Sequence, residues 1–128
     1  MSHVLLIEPN TLLAKSYIQA LHHAGHTVAH ATGAQAAIDA ADKQMPDIVI
    51  VEIQLPQHSG IEFLHEFRSY AEWINVPVVV NTALSPARMM LAKKPLKRDL
   101  GVMEILYKPR ATLQDLVRLT REHSAPAA

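Results

Sequence analysis

Short apolar runs alternate with longer amphipathic stretches along most of this chain. The apolar runs are rich in Val, Ile and Leu, which is typical of strands that are covered on both faces of a parallel sheet. They predict strands at residues 4–7, 27–30, 48–51, 76–81 and 102–107. The second run is the weakest, because Val28 is its only strong core candidate.

The stretches between the apolar runs keep apolar residues at helical spacing. They predict a first helix that is capped by Asn10 or Thr11 and continues through His23. Further helices are predicted at residues 33–43, 61–70 and 87–100, and a last helix begins after Thr112. Pro95 interrupts the fourth helix, so we expect a kink or two short pieces there instead of one straight helix. Five strands that alternate with five helices predict a doubly wound α/β domain with helices on both faces of a parallel sheet.

Composition narrows the range of functions. The chain has 128 residues, of which 49% are hydrophobic, so it is long enough for one domain with its own core. The absence of cysteine excludes disulfides, thiol catalysis and cysteine metal sites. Twelve basic and twelve acidic residues give a formal charge of zero, which provides no overall attraction to nucleic acid or anionic lipid.

The two ends of the chain set further expectations. The N-terminal apolar run has no basic flank and is too short for a signal peptide or a membrane span, so we expect a cytoplasmic protein without a membrane anchor. Residues 124–128 are small and include a proline, and we expect a disordered tail or the start of a linker to an output domain.

Two acidic side chains come directly after predicted central strands. Glu8 follows the first strand, and Glu52 follows the third. In the flavodoxin-like strand order 2-1-3-4-5 these strands are neighbours, and functional groups collect in the crevice at their carboxyl ends. We therefore expect Glu8 and Glu52 to face each other across that crevice.

Four different motifs lie at the ends of predicted strands, at residues 4–8, 46–60, 80–83 and 108–109. With these motifs in this order, the chain resembles the receiver domains of two-component response regulators from residue 4 to about residue 123. The resemblance implies a receiver-like domain over residues 1–123 and a role in phosphorelay signalling.

In the family that the chain resembles, an aspartate after the third strand accepts a phosphoryl group. Two acidic residues after the first strand hold Mg²⁺, and a Ser or Thr and a Lys bind the phosphoryl oxygens. By this resemblance Thr82 and Lys108 occupy their usual places, whereas the acceptor position holds Glu52. The acidic pair is Glu8–Pro9, and Ile105 stands where the family has a switch aromatic residue, so the chain resembles an atypical member, or pseudo-receiver.

These departures predict the loss of phosphoryl chemistry. Pro9 has no side-chain oxygen, and Asn10 is the only polar neighbour that could replace it as a ligand, so a Mg²⁺ site is expected to be lost or weak. Glu52 is longer than aspartate by one methylene, or roughly 1.5 Å, and a misplacement of about 1 Å can slow a reaction on the order of a hundredfold. We therefore predict no catalytic activity, no cofactor and no metal.

The role left for Glu52 has two interpretations. Glu52 could reach Lys108 and lock the domain in one state, or the two side chains could simply neutralise each other at the end of the sheet. Two rival functions also stay open. One is a phosphorylatable regulator with an unusual acceptor, and the other is a small-molecule binder that uses the same crevice.

The sequence also predicts an interaction face formed by the fourth helix, fifth strand and fifth helix, through which the family that the chain resembles makes homodimer and partner contacts. We expect a protein partner or a second copy there, and no direct binding of nucleic acid. The candidate residues are Arg88, Met89, Met90, Lys93, Lys94, Lys97, Arg98, Leu113, Leu116 and Val117. Ordinary core packing for the apolar members and a solvated helix face for the basic ones are the alternatives.

Overall fold

The computed structural model describes residues 2–124, and its elements follow the predicted order. The strands are β1 His3–Ile7, β2 Thr27–Ala31, β3 Ile48–Val51, β4 Val78–Thr82 and β5 Val102–Tyr107. The helices are α1 Thr11–His23, α2 Ala34–Lys43, α3 Gly60–Ser69, α4 Pro86–Leu100 and α5 Leu113–His123, with a 3₁₀ turn at Ala71–Trp73.

All strand pairs are parallel, and the strand order is β2-β1-β3-β4-β5. The predicted doubly wound α/β fold and its strand order are therefore confirmed. The pairing places Ile7 beside Val51. Glu8 and Glu52, the residues that directly follow these two, therefore lie at the same end of the sheet. The backbone N–H of Glu52 donates to the Ile7 carbonyl at 3.1 Å and fixes this register at the crevice.

Side chains alternate between the two faces of the sheet and build a core on each side. One side is covered by α2, α3 and α4, which pack on Leu5, Val49 and Val80. The other side is covered by α1 and α5, which pack on Leu6 and Ile50. The apolar positions of the central strands are therefore buried on both faces, as the continuous apolar runs predict.

Helix α4 continues without interruption through Pro95. The expectation of two short pieces is therefore wrong. Pro95 lacks an N–H and cannot donate to the carbonyl of Leu91, but Leu91 is 91% exposed, so water can satisfy that carbonyl. Ser85 caps the helix with Pro86 in its first turn, and Gly101 ends it in the left-handed conformation at φ 67°.

Of the predicted tail at residues 124–128, only Ser124 lies within the described residues. Within residues 2–124, no helix combines the length and apolar character that crossing a membrane requires.

Candidate functional site

The carboxyl ends of four strands bring together the acidic, hydroxyl and ammonium groups that the sequence predicts. Glu8 follows β1, Glu52 follows β3, Thr82 ends β4 and Lys108 follows β5. The backbone N–H of Lys108 donates to the Thr82 carbonyl at 2.9 Å, which extends the β4–β5 pairing up to the site. The predicted crevice is therefore present, and its members are in contact.

The Lys108 ammonium lies between the two carboxylates. Its Nζ is 2.6 Å from Oε1 of Glu8 and 2.7 Å from Oε1 of Glu52. Only 3% of each carboxylate side chain and 12% of the lysine side chain are exposed. The pairing of Glu52 with Lys108 matches the prediction, whereas the bond between Lys108 and Glu8 was not predicted.

Both carboxylate oxygens of Glu52 accept two hydrogen bonds each. Oε1 accepts from Lys108 and from the backbone N–H of Ala83 at 3.0 Å. Oε2 accepts from the Thr82 hydroxyl at 2.5 Å and from the backbone N–H of Gln54 at 3.1 Å. All four donors favour the charged carboxylate, so its negative charge is held in place from both sides.

The pKa values of Glu52 and Lys108 are shifted in opposite directions. Burial raises the pKa of Glu52, but the hydrogen bonds from Lys108, Thr82 and the backbone outweigh burial, and the pKa lies below the ordinary glutamate value. Burial lowers the pKa of Lys108, but the bonds to Glu52 and Glu8 outweigh it, and the pKa lies above the ordinary lysine value. Both groups are therefore charged at neutral pH.

Gly60 holds the loop after β3 tightly against the site. A Cβ atom at this position would overlap the carbonyl oxygen of Glu52 and lie 2.9 Å from Cα of Ile53. The backbone N–H of Gly60 donates to the Ile53 carbonyl at 2.7 Å. The sequence marks Gly60 only as the end of a loop, and this close approach to the backbone of Glu52 is visible only in the structure.

The groups after β1 do not suit a Mg²⁺ site. Pro9 supplies no side-chain oxygen, and the Asn10 side chain already caps α1 by accepting from the backbone N–H of Leu13 at 3.0 Å. The second oxygen of Glu8 accepts from the backbone N–H of Asn10 at 3.0 Å. Within the described range, no three His, Asp or Glu side chains converge as metal ligands. The near-octahedral oxygen shell that Mg²⁺ requires is not assembled by these residues.

Ile105 is partly buried and packs against the core on the side of α2, α3 and α4. It also lines an apolar groove of about 420 Å³ between α4 and β5, together with Met90 and Tyr107. Lys93 forms the charged part of the groove lining. Ile105 therefore lies beside an accessible surface.

The predicted interaction face divides into exposed and buried members. Met90 is 70% exposed and Leu113 is 43% exposed, whereas Val117 is partly buried. Met89 and Leu116 are core residues with 4% and 2% exposure, so the prediction that they belong to a surface patch is wrong. The basic members, all on α4, are exposed, and they are Arg88, Lys93, Lys94, Lys97 and Arg98.

Curated proteins with similar sequences include transcriptional regulators. The chain is 32% identical over its full length to the KDP operon transcriptional regulatory protein KdpE of Escherichia coli, of which the match covers 55%. It is 36% identical over 62% of its length to the probable transcriptional regulatory protein TcrX of Mycobacterium tuberculosis, of which the match covers 33%. The chain thus spans about half or less of the length of these relatives.

Solved structures share the fold. The chemotaxis protein CheY4 of Vibrio cholerae aligns with a TM-score of 0.83 at 23% identity, covering 96% of this chain and 98% of its own. The receiver domain of the sensor histidine kinase PA1611 of Pseudomonas aeruginosa, solved with a magnesium ion coordinated in its active site cleft, aligns with a TM-score of 0.79 at 21% identity. That match covers 95% of this chain and 96% of the PA1611 chain. The family model of the response regulator receiver domain matches residues 4–120, and the chain belongs to this family.

Proposed function

We propose that this receiver domain works without phosphoryl transfer, as a protein-interaction module of a two-component system. The observation that carries the proposal is the bonding of Glu52, whose two oxygens already accept from Lys108, Ala83, Thr82 and Gln54. A carboxylate attacks phosphorus with an oxygen lone pair. The lone pairs of Glu52 are directed at donors within the protein, and attack would require breaking these bonds in a buried site.

The loss of Mg²⁺ binding is part of the same proposal. A divalent cation would neutralise the charge that repels an incoming phosphoryl group from a carboxylate. Pro9 provides no ligand, and the Lys108 ammonium already bridges Glu8 and Glu52. One positive charge on nitrogen cannot coordinate phosphoryl oxygens as a divalent cation does, so the domain catalyses no reaction and uses no cofactor.

We further propose that Glu52 holds the pocket in one fixed state. Thr82 and Lys108 occupy the positions whose side chains bind the phosphoryl oxygens in other receivers, and here both bond to Glu52. The backbone N–H of Ala83 is drawn to the same carboxylate. The loop after β4 therefore contacts a permanent negative charge, and the input signal is partner binding or protein abundance instead of phosphorylation.

The groove between α4 and β5 is the surface that we assign to a protein partner, with a second copy of the chain at the α4-β5-α5 face as the alternative. The exposed side chain of Met90 is flexible and apolar, and Lys93 adds a positive charge beside it. An output domain in a longer parent protein is a further proposal, because KdpE and TcrX extend well beyond their matched parts. We propose the cytoplasm as the compartment only because the sequence has no cysteines.

The test is incubation with acetyl phosphate and Mg²⁺ followed by intact-mass measurement. The proposal predicts that the natural chain gains no phosphoryl group. The matched variant carries Pro9→Asp and Glu52→Asp, which together return a ligand oxygen and shorten the acceptor, and it is expected to gain one phosphoryl group. A phosphoryl adduct on Glu52 of the natural chain would refute the proposal.

A further inference from the structure

Helix α4 carries a concentrated positive charge. The helix has five Lys and Arg residues between positions 88 and 98, and all of them are exposed. Within residues 2–124, Arg98 pairs with Asp99, whereas Lys93, Lys94 and Lys97 form no salt bridge. These lysines therefore present charge that the described part of the chain does not neutralise.

The neighbouring helices on the same side of the sheet carry the opposite charge. Asp39 and Asp42 lie on α2, Glu62 and Glu66 lie on α3, and all four are exposed. In the part of the chain that the structure describes, none of them forms a salt bridge with a lysine or an arginine. The pKa of the Tyr70 hydroxyl is raised, first by the charge of Glu66 and also by that of Asp42, which reflects the same local negative potential.

The acidic and basic halves meet at an apolar strip. A groove of about 130 Å³ between α3 and α4 is lined mainly by apolar side chains, among them Ile61, Ala92 and Pro95. Leu91, next to this strip on α4, is 91% exposed. At 100° per residue, Leu91, Lys94 and Arg98 all lie on the side of α4 opposite its buried residues, so they point away from the sheet.

We propose that a second copy of this chain pairs with the α2-α3-α4 face around a two-fold axis that passes through the α3–α4 groove. A two-fold contact requires a self-complementary surface, in which each patch meets its partner patch twice. The α2-α3-α4 face has this property, because rotation about the groove places the basic half of each copy on the acidic half of the other. The exposed Leu91 side chains then lie near the axis, where apolar contact adds to the charge pairing.

Charge complementarity favours a second copy over nucleic acid as the occupant. A polyanion attracted to α4 would meet the carboxylates of α3 next to it, and like charges oppose each other. A second copy instead places opposite charge on both the acidic and the basic half, in agreement with the formal net charge of zero. The pairing leaves the α4–β5 groove accessible, because Met90 and Lys93 lie on the other flank of α4. It also does not depend on the loss of phosphoryl chemistry.

The test is sedimentation velocity across a concentration series at two ionic strengths. Raising the ionic strength from about 0.05 M to about 0.5 M shortens the Debye length from about 14 Å to about 4 Å. The dimer is therefore expected to weaken by about tenfold or more. Lys94→Glu with Arg98→Glu reverses the two outward-facing charges of the basic half, and Asp39→Lys with Glu66→Lys reverses two of the four charges of the acidic half. Each double variant is expected to dimerise about a hundredfold more weakly than the natural chain, because the reversed charges then face like charges on the second copy.

Mixing the two double variants is the decisive step. In the mixture, the reversed charges of each variant face opposite charges on the other variant, so a one-to-one heterodimer is expected to form. The matched control, Lys15→Glu with Arg121→Glu, reverses two exposed charges on α1 and α5 and is expected to dimerise like the natural chain.

A monomer at all concentrations in low salt would overturn the pairing. A mixture that stays monomeric would also overturn it, as would a dimer that resists both reversals but is lost in Met90→Asp. That last result would place the contact at the α4-β5-α5 face of the proposed function. A phosphodonor adduct, by contrast, would refute the proposed function and leave this pairing intact.

Discussion

Replacing Lys108 with methionine removes the only ammonium that contacts the two buried carboxylates in the described structure. The Glu8 and Glu52 oxygens that share this ammonium, at 2.6 and 2.7 Å, lie within about 5 Å of each other, and nothing in the described part of the chain then neutralises them. Two unit charges at about 5 Å and an effective dielectric constant of about 20 repel each other by about 3 kcal/mol. Adding the lost attraction, we expect Lys108→Met to lower the free energy of unfolding by about 3–5 kcal/mol at pH 7.5.

The pH dependence gives this prediction a specific sign. In the natural protein the pKa of Glu52 lies below the ordinary value of 4.5, so its stabilisation is present above pH 4.5 and is lost as the pH falls through the folded-state pKa. In Lys108→Met, repulsion raises the folded-state pKa of one carboxylate above its unfolded value. The variant is then expected to recover stability as the pH falls towards 5, where one proton neutralises the pair.

The measurement is urea unfolding at pH 7.5 and pH 5, followed by the fluorescence of Trp73, which is buried in the native state. Because a loss of this size approaches the whole stability of a small domain, Glu8→Gln with Lys108→Met serves as the second variant. It removes one of the two repelling charges and is expected to be more stable than Lys108→Met alone at pH 7.5. Equal stability of the two variants, or a loss that does not change with pH, would refute the reasoning.

Three further substitutions test the contacts around the site. Thr82→Val removes the hydroxyl that donates to Glu52, and we expect it to lower the free energy of unfolding in urea by about 1–3 kcal/mol, whereas Thr82→Ser should lose much less. Gly60→Ala forces a Cβ onto the Glu52 carbonyl and should lower the free energy of unfolding by about 3 kcal/mol or more. Gly33→Ala, where the added Cβ has open space around it, is the control. Similar losses of stability at both glycines would contradict this prediction. Pro95→Ala should stabilise the exposed turn of α4 by up to about 3 kcal/mol, and a lower melting temperature would contradict that expectation.

The positions of Glu8 and Glu52 were predictable because they depend on topology alone. Apolar runs locate the strands, and the flavodoxin-like strand order then places Glu8 and Glu52 at adjacent strand ends. Thr82 and Lys108 were predicted from the family that the chain resembles, and the β4–β5 pairing brings both to the same end of the sheet. The hydrogen bonds and ion pairs within the site were only partly predictable. The bond between Lys108 and Glu8 depends on how far two flexible side chains reach, and sequence spacing carries no information about that distance.

Exposure on α4 was harder to predict than the helix itself. Met89 and Met90 are adjacent and alike in chemistry, yet one is 4% exposed and the other 70% exposed. A rotation of 100° separates them, so a small error in the orientation of a helix moves a residue from the core to the surface. The continuity of α4 through Pro95 was missed for a related reason, since the cost of a lost hydrogen bond depends on whether water can reach the free carbonyl.

The most direct test of the central claim is a crystal structure of the natural chain soaked with Mg²⁺ and beryllium fluoride. The account predicts that Lys108 still bridges Glu8 and Glu52, with its Nζ within about 3 Å of an oxygen of each carboxylate. An octahedral Mg²⁺ beside Glu8, together with a beryllium fluoride group bonded to Glu52, would contradict it and identify the domain as a phosphorylatable switch.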